Sequence, residues 1–135
     1  MSINKVLVVD DSATDLLHLK KIIEDAGYLT LTATSGQEAV EKARAHQPDA
    51  IFLDIVMQEM DGYEACRVLT RDAATKHIPI VFVTSKNQKA DRVWAEMQGA
   101  KAFISKPARQ EDILNQLKAL QADVVILTGC NPAVN

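Results

Sequence analysis

Four short apolar runs in this chain each end on polar residues. Val6–Val9 runs into Asp10-Asp11, Ala50–Leu53 into Asp54, Ile80–Val83 into Thr84 and Ala102–Ser105 into Lys106. Runs of four or five mostly β-branched or aromatic residues, separated by segments of helical periodicity, read as strands buried on both faces, which means a parallel sheet. In open α/β sheets a ligand site lies beyond the carboxyl ends of the strands. The polar residues that end the runs therefore converge on one edge: three carboxylates, a hydroxyl and an ammonium. That set suits a divalent cation and a phosphoryl group, with one carboxylate free to act as nucleophile.

Between the runs the signals are helical. Ser12 with Asp15, and Ser35 with Glu38, have capping-box spacing. Leu16, Leu19, Ile22, Ile23 and Ala26 form an apolar stripe ended by Gly27. Leu29–Ala33 alternates as a second strand, Val40 and Ala43 mark the inner side of a second helix, and Pro48 closes it. Gly62 opens a third helix carrying Ala65, Cys66 and Leu69, and a fourth spans about Gln88 to Gln98. Ile113, Leu114, Leu117 and Leu120 mark a fifth, expected to have ended by residue 121. Strand and helix thus alternate five times. With right-handed crossovers this gives a doubly wound α/β domain, a five-stranded parallel sheet of order 2-1-3-4-5 with helices on both faces. The first and third strands are then neighbours, which sets Asp10-Asp11 beside Asp54.

Bulk properties narrow the function. The chain has 135 residues, 47% hydrophobic and 24% charged, and a net charge of −3 with no basic run. Neither nucleic acid nor an anionic membrane is an expected partner. No apolar stretch approaches the ~20 residues of a membrane helix, and the first residues lack a signal-peptide profile. The two cysteines, Cys66 and Cys130, form no metal or disulfide pattern. A reduced, cytoplasmic protein is the expectation. His18, His46 and His77 are isolated and read as surface residues, and Cys66 as core.

Three carboxylates at one sheet edge repel one another, and a bound cation keeps them ionised. Mg²⁺ fits, since it takes one or two protein carboxylates and spends its other positions on water and phosphate oxygens. Lys106 precedes Pro107, which fixes the backbone at the turn, so its ammonium is placed to pair with phosphate. The Thr84 hydroxyl is placed to donate to a phosphoryl oxygen.

In LVVDDS (7–12), FLDIVMQEMDGYE (52–64), IPIVFVTS (78–85) and FISKP (103–107), the sequence resembles a response-regulator receiver domain, the phospho-acceptor module of two-component signalling and chemotaxis. The resemblance covers residues 4 to about 121 and implies a flavodoxin-like fold. It implies Asp54 as the phosphorylated nucleophile, with Asp10, Asp11, Asp54 and the Val56 backbone carbonyl as ligands of Mg²⁺. Thr84 and Lys106 would contact the phosphoryl group, and Phe103 would hold the aromatic switch position. The donor implied is a phosphohistidine of a partner kinase. The output implied is protein contact through the fourth helix, fifth strand and fifth helix, with no enzymatic turnover of an external substrate.

Departures from the family pattern carry expectations of their own. Gln58 replaces the usual proline of the loop after Asp54, which loosens that turn. Val56 offers no group to orient water and Lys86 adds positive charge at the rim, so self-dephosphorylation is expected to be intermediate or slow. Phe103 lacks the hydroxyl of a tyrosine. The segment DRVWAEMQGAKAFISKP (91–107) is similar to receivers of type IV pilus and twitching-motility chemosensory systems, and Trp94 is a candidate partner anchor with Lys86 and Phe103.

The division expected is a receiver over 1–121 and a tail over 122–135 without an output domain. Docking or self-association is the expectation for the apolar VVIL of this tail; an extra strand in a dimer, an extension of the fifth helix and disorder are alternatives. A monomer or weak homodimer follows. Two other functions stay in view: a docking module that is never phosphorylated, and a small aspartyl phosphatase. The full acidic set opposes the first. Val56 opposes the second, because such enzymes carry an acid two residues after the nucleophile.

Overall fold

The computed structural model describes residues 3–127, and side chains as far as Gln121. Five strands and five helices alternate: β1 (Lys5–Val9), α1 (Ala13–Asp25), β2 (Leu29–Ala33), α2 (Gly36–His46), β3 (Ala50–Leu53), α3 (Gly62–Arg71), β4 (Ile80–Thr84), α4 (Lys89–Met97), β5 (Ala102–Ser105) and α5 (Gln110–Leu127). The strands form one parallel sheet in the order β2-β1-β3-β4-β5.

The two-residue period of the strands divides the core in two. Leu7, Val9, Ile51, Leu53, Ile80 and Phe82 point to one face, where Ala39, Val40 and Ala43 of α2, Ala65, Cys66 and Leu69 of α3, and Ala95 of α4 cover them. Val6, Val8, Phe52, Val81, Val83 and Ile104 point to the other, under Leu16, Leu19 and Ile23 of α1 and Ile113, Leu117 and Leu120 of α5. The central strands β1, β3 and β4 are buried almost throughout, which is why they read as continuous apolar runs. The edge strand β2 does not alternate: Leu29 is exposed, only Ala33 is fully buried, and the Lys42 ammonium covers the Thr32 carbonyl on its rim.

Both capping boxes form by half. The Ser12 hydroxyl accepts from the Asp15 N–H and the Ser35 hydroxyl from the Glu38 N–H. The reciprocal bonds go elsewhere, Glu38 to the Thr34 N–H and Asp15 to Lys106. The fifth helix does not stop by residue 121. Its backbone continues to Leu127, so the boundary expected between residues 121 and 122 falls inside a helix. That helix has 18 residues, against 9 to 13 in the other four. The remainder of the expected tail, residues 128–135, lies outside the described residues.

Cys66 sits at the α3–α4 contact with Sγ 3.3 Å from the Gln98 carbonyl, and burial pushes its thiol up to about 12. A buried thiol held neutral is inert, since the thiolate is the reactive form. In a Cys130→Ser background, Cys66 should resist iodoacetamide at pH 8 and react fully once urea unfolds the chain. Rapid alkylation of the folded protein would contradict this packing.

Candidate functional site

The sheet ladder itself brings the acidic residues together. The Asp10 N–H donates to the Ala33 carbonyl and the Asp54 N–H to the Val9 carbonyl, both at 3.1 Å. Each residue is thus held one step past its strand. Parallel pairing of β1 with β3, Val9 opposite Leu53, then places the two carboxylates side by side. Carboxylate oxygens of Asp10, Asp11 and Asp54 lie within 4.8 Å of one another, Asp10 and Asp54 buried and Asp11 exposed. Two short bonds fix the buried pair: the Ser12 N–H donates to Asp10 Oδ1 at 2.9 Å and the Val56 N–H to Asp54 Oδ1 at 3.2 Å.

Lys106 enters from the neighbouring side. Its backbone N–H donates to the Thr84 carbonyl, which locks the β5 end to the β4 end. Its Nζ lies 2.8 Å from Asp10 Oδ2, 2.7 Å from Asp15 Oδ2 and 3.1 Å from Asp54 Oδ2. An ammonium has three donors, so all of them are used. Thr84 is fully buried, and its Oγ1 accepts from the Lys86 N–H at 3.2 Å. Asp10, Asp54 and Thr84 are three of the four buried polar residues among those described. The fourth, Thr75, donates to the Leu69 carbonyl.

Charge balance at this edge is uneven. Burial, the largest influence, raises the Asp10 carboxyl above its ordinary range, and Asp54 pushes the same way; the bonds from Lys106 and the Ser12 N–H only partly offset them. Burial alone would lower the Lys106 ammonium, but its bonds to Asp10 and Asp15 and the charge of Asp54 outweigh that and hold it above its usual value. Asp10 thus disfavours its own ionisation where it stands. Closely spaced, partly desolvated oxygens with one cation among them fit a hard divalent ion, which restores the ionised state.

The other residues singled out from sequence lie around this centre. Val56 is exposed on the loop beyond Asp54. Glu59, next to Gln58, makes the turn of that loop with a left-handed backbone, φ 62°. The Lys86 Nζ faces Asp91 Oδ1 at 3.8 Å, toward the start of α4. Phe103 is half-buried beneath the Arg92 guanidinium, whose carbon stands 4.9 Å from the ring centre. Trp94 is 46% exposed and meets the Tyr63 ring edge-on at 6.3 Å, so it is both packed and accessible. His18, His46 and His77 are exposed, though His18 Nε2 also lies 2.9 Å from the Ala108 carbonyl.

Two residues at the site carry more than the sequence disclosed. Asp15 reads as a helix cap but binds Lys106. Gly62 reads as a helix start, but a Cβ there would stand 2.2 Å from the Asp54 carbonyl oxygen and 2.6 Å from Ile55 Cα. The loop after Asp54 closes on the α3 terminus at that point, with the Gly62 N–H donating to the Ile55 carbonyl at 2.8 Å.

A doubly wound sheet with acids after β1 and β3, a hydroxyl at the end of β4 and a lysine after β5 defines a class. The chain belongs to the response regulator receiver domain family, whose model matches residues 6–118. Among curated relatives it is 40% identical to Protein PilH of Pseudomonas aeruginosa, over 87% of this chain and 98% of that one. It is 34% identical to the polar-differentiation response regulator DivK of Brucella ovis, over 87% and 96%. Among solved structures, the Vibrio cholerae chemotaxis protein CheY4 superimposes with a TM-score of 0.82 at 30% identity, covering 88% of this chain and 99% of that one. The chain is a receiver of two-component signalling, and the strand order expected from the sequence is the one observed.

The raised Asp10 carboxyl gives a testable consequence. A carboxyl raised on folding contributes stability at low pH that is lost as pH rises through its folded value, so at neutral pH its ionisation opposes folding. Asp10→Asn should raise the melting temperature of the metal-free protein at pH 7 by a few degrees, the scale of roughly 1 kcal/mol in a domain of this size. A lower melting temperature would show that the bond to Lys106 outweighs the burial of charge.

Proposed function

We propose that Asp54 is the phospho-acceptor of a two-component relay, supplied by the phosphohistidine of a partner kinase. One observation carries the assignment: a buried carboxylate whose oxygens are already held by the Val56 N–H and by the Lys106 ammonium. In the step proposed, an Asp54 carboxylate oxygen attacks phosphorus, the P–N bond breaks, and its electron pair leaves with the imidazole nitrogen of the donor. The product is an acyl phosphate on Asp54. Asp10, Asp11 and Asp54, with the Val56 carbonyl, would hold Mg²⁺. Bound there, the ion supplies charge neutralisation for the phosphoryl oxygens. Lys106 neutralises the remaining charge, and the Thr84 hydroxyl donates to a phosphoryl oxygen.

The phosphoryl group takes the Asp54 side chain from about −1 toward −2 and adds acceptor oxygens. Inverting a two-state population from 1:99 to 99:1 requires about 5.5 kcal/mol. A charge-assisted bond from Thr84, about 1.5–3 kcal/mol, supplies part of it, and Lys106 and loop repacking the rest. Movement of Thr84 toward the phosphoryl group vacates space beside β5, and Phe103, adjacent in register to Phe82, turns into it. The signal is then a changed α4–β5–α5 surface, with Lys86, Trp94 and Phe103 as its candidate contacts.

Motility or chemotaxis-type signalling is the setting we assign. The similarity of residues 91–107 to type IV pilus receivers and the 40% identity to PilH support it. Among the described residues no helix is long and apolar enough to cross a membrane. A phosphohistidine donor and a free Mg²⁺ pool belong to the cytoplasm, and the reading places the chain there. The receiver takes in the whole of α5, and a monomer or weak homodimer suffices for its role.

Incubation with acetyl phosphate and Mg²⁺, followed by intact mass measurement, should give one phosphoryl adduct that EDTA prevents and Asp54→Asn abolishes. No adduct on folded wild-type protein would favour a docking module that is never phosphorylated. The adduct should persist for minutes, because Val56 offers water no orienting group and Lys86 is turned onto Asp91. Decay within a few seconds would reject that part of the account.

A further inference from the structure

The three bonds of Lys106 are not equivalent. Asp10 and Asp54 belong to the acidic group able to hold a cation, and Asp15 does not. Asp15 nevertheless makes the shortest contact, 2.7 Å against 2.8 and 3.1 Å. It stands on the first turn of α1. The Ser12 hydroxyl caps its backbone N–H, and the Ser12 N–H is occupied by Asp10, so the Asp15 carboxylate is left for Lys106. Its side chain is 45% exposed, whereas that of Lys106 is 17% exposed, which puts Asp15 on the solvent side of the ammonium.

Asp10 and Asp54 cannot hold Lys106 unchanged through the proposed cycle. Both would spend lone pairs on a bound cation. Asp54 would also convert one oxygen into the bridging ester of the acyl phosphate. One ammonium donor must then swing to the phosphoryl group, and a flexible four-carbon stem does not by itself decide where Nζ goes. Asp15 alone of the three lies outside the acidic group and is not the acceptor, so both its oxygens stay free for Lys106 in every state.

We propose that Asp15 is the positioning residue of Lys106, the tether that keeps Nζ at the sheet edge while cation and phosphoryl group take over Asp10 and Asp54. The proposal rests on the assignment of Asp54 as acceptor. A different role for an acid in a first helical turn is to stabilise the helix N-terminus. That role needs a negative charge near the backbone and no lysine, so the two separate by their dependence on Lys106.

The test compares wild type, Asp15→Ala, Asp15→Glu, Lys106→Ala and the Asp15→Ala/Lys106→Ala double variant, by two readouts. The first is the rate of phosphorylation by acetyl phosphate at saturating Mg²⁺. Misplacement of an important group by about 1 Å can cost up to 100-fold, so Asp15→Ala should slow the reaction by about 10-fold or more. Asp15→Glu should recover most of the rate, and the double variant should be no slower than Lys106→Ala. A wild-type rate in Asp15→Ala, or a further loss in the double variant, would overturn the proposal.

The second readout needs no phosphorylation. Melting temperatures of the same set, measured with and without Mg²⁺, should show Asp15 and Lys106 coupled in both conditions, the double variant melting no lower than Lys106→Ala. Additive losses with Mg²⁺ present would mean that the tether does not persist, and would reject the proposal. If wild type accepts no phosphoryl group, the assignment of Asp54 fails, and the melting cycle still decides whether Asp15 holds Lys106.

Discussion

One ammonium makes this sheet edge possible. Lys106 reaches Asp10, Asp15 and Asp54 at once, and without it two buried carboxylates would face each other with no cation between them. Burying a charge is costly unless it is paired and hydrogen-bonded, and removing one partner leaves the other uncompensated. The backbone anticipates this. The Lys106 N–H is bound to the Thr84 carbonyl and the Asp54 N–H to the Val9 carbonyl, so each charge is fixed by the strand next to the one that carries it. The helices and both core layers serve to hold these strand ends in register.

The arrangement also explains why the site is incomplete by design. Three carboxylates meet one ammonium with Asp11 close by, and the deepest of them, Asp10, is shifted toward its neutral form. The surplus negative charge works against folding and would favour a bound hard divalent ion, at the expense of metal-free stability. Under the proposed function, an incoming dianion would meet an edge already rich in negative charge, which a bound cation would relieve. Receiver domains as a family accept phosphoryl groups from histidine kinases.

What the sequence disclosed and what it hid follow from the range of each interaction. Asp10, Asp54, Thr84 and Lys106 were legible because each terminates an apolar run, and parallel topology then brings the run ends together without further information. β2 was less legible, since an edge strand is not buried on both sides, and its alternation is lost to exposure at Leu29 and partial burial from Thr30 to Thr32. The end of α5 was expected by residue 121, and the alternative of an extended fifth helix is the one its backbone follows, because Val124, Val125 and Leu127 continue the helical spacing of Ile113, Leu117 and Leu120. Asp15 was hidden by a stronger local reading. A serine followed three residues later by an acid signals a capping box, and only the tertiary position of Lys106, 91 residues away, shows where the carboxylate goes. Gly62 was hidden in the same way, because close approach to the Asp54 carbonyl is a property of the packed loop.

The most direct test of the central claim, a surplus of negative charge built to receive one hard cation, is calorimetric titration of the metal-free protein with Mg²⁺. The account predicts a single site, a higher melting temperature at saturation, and marked weakening when Asp10 is replaced by Asn. Absence of binding at millimolar Mg²⁺, or binding indifferent to Asp10→Asn, would contradict it.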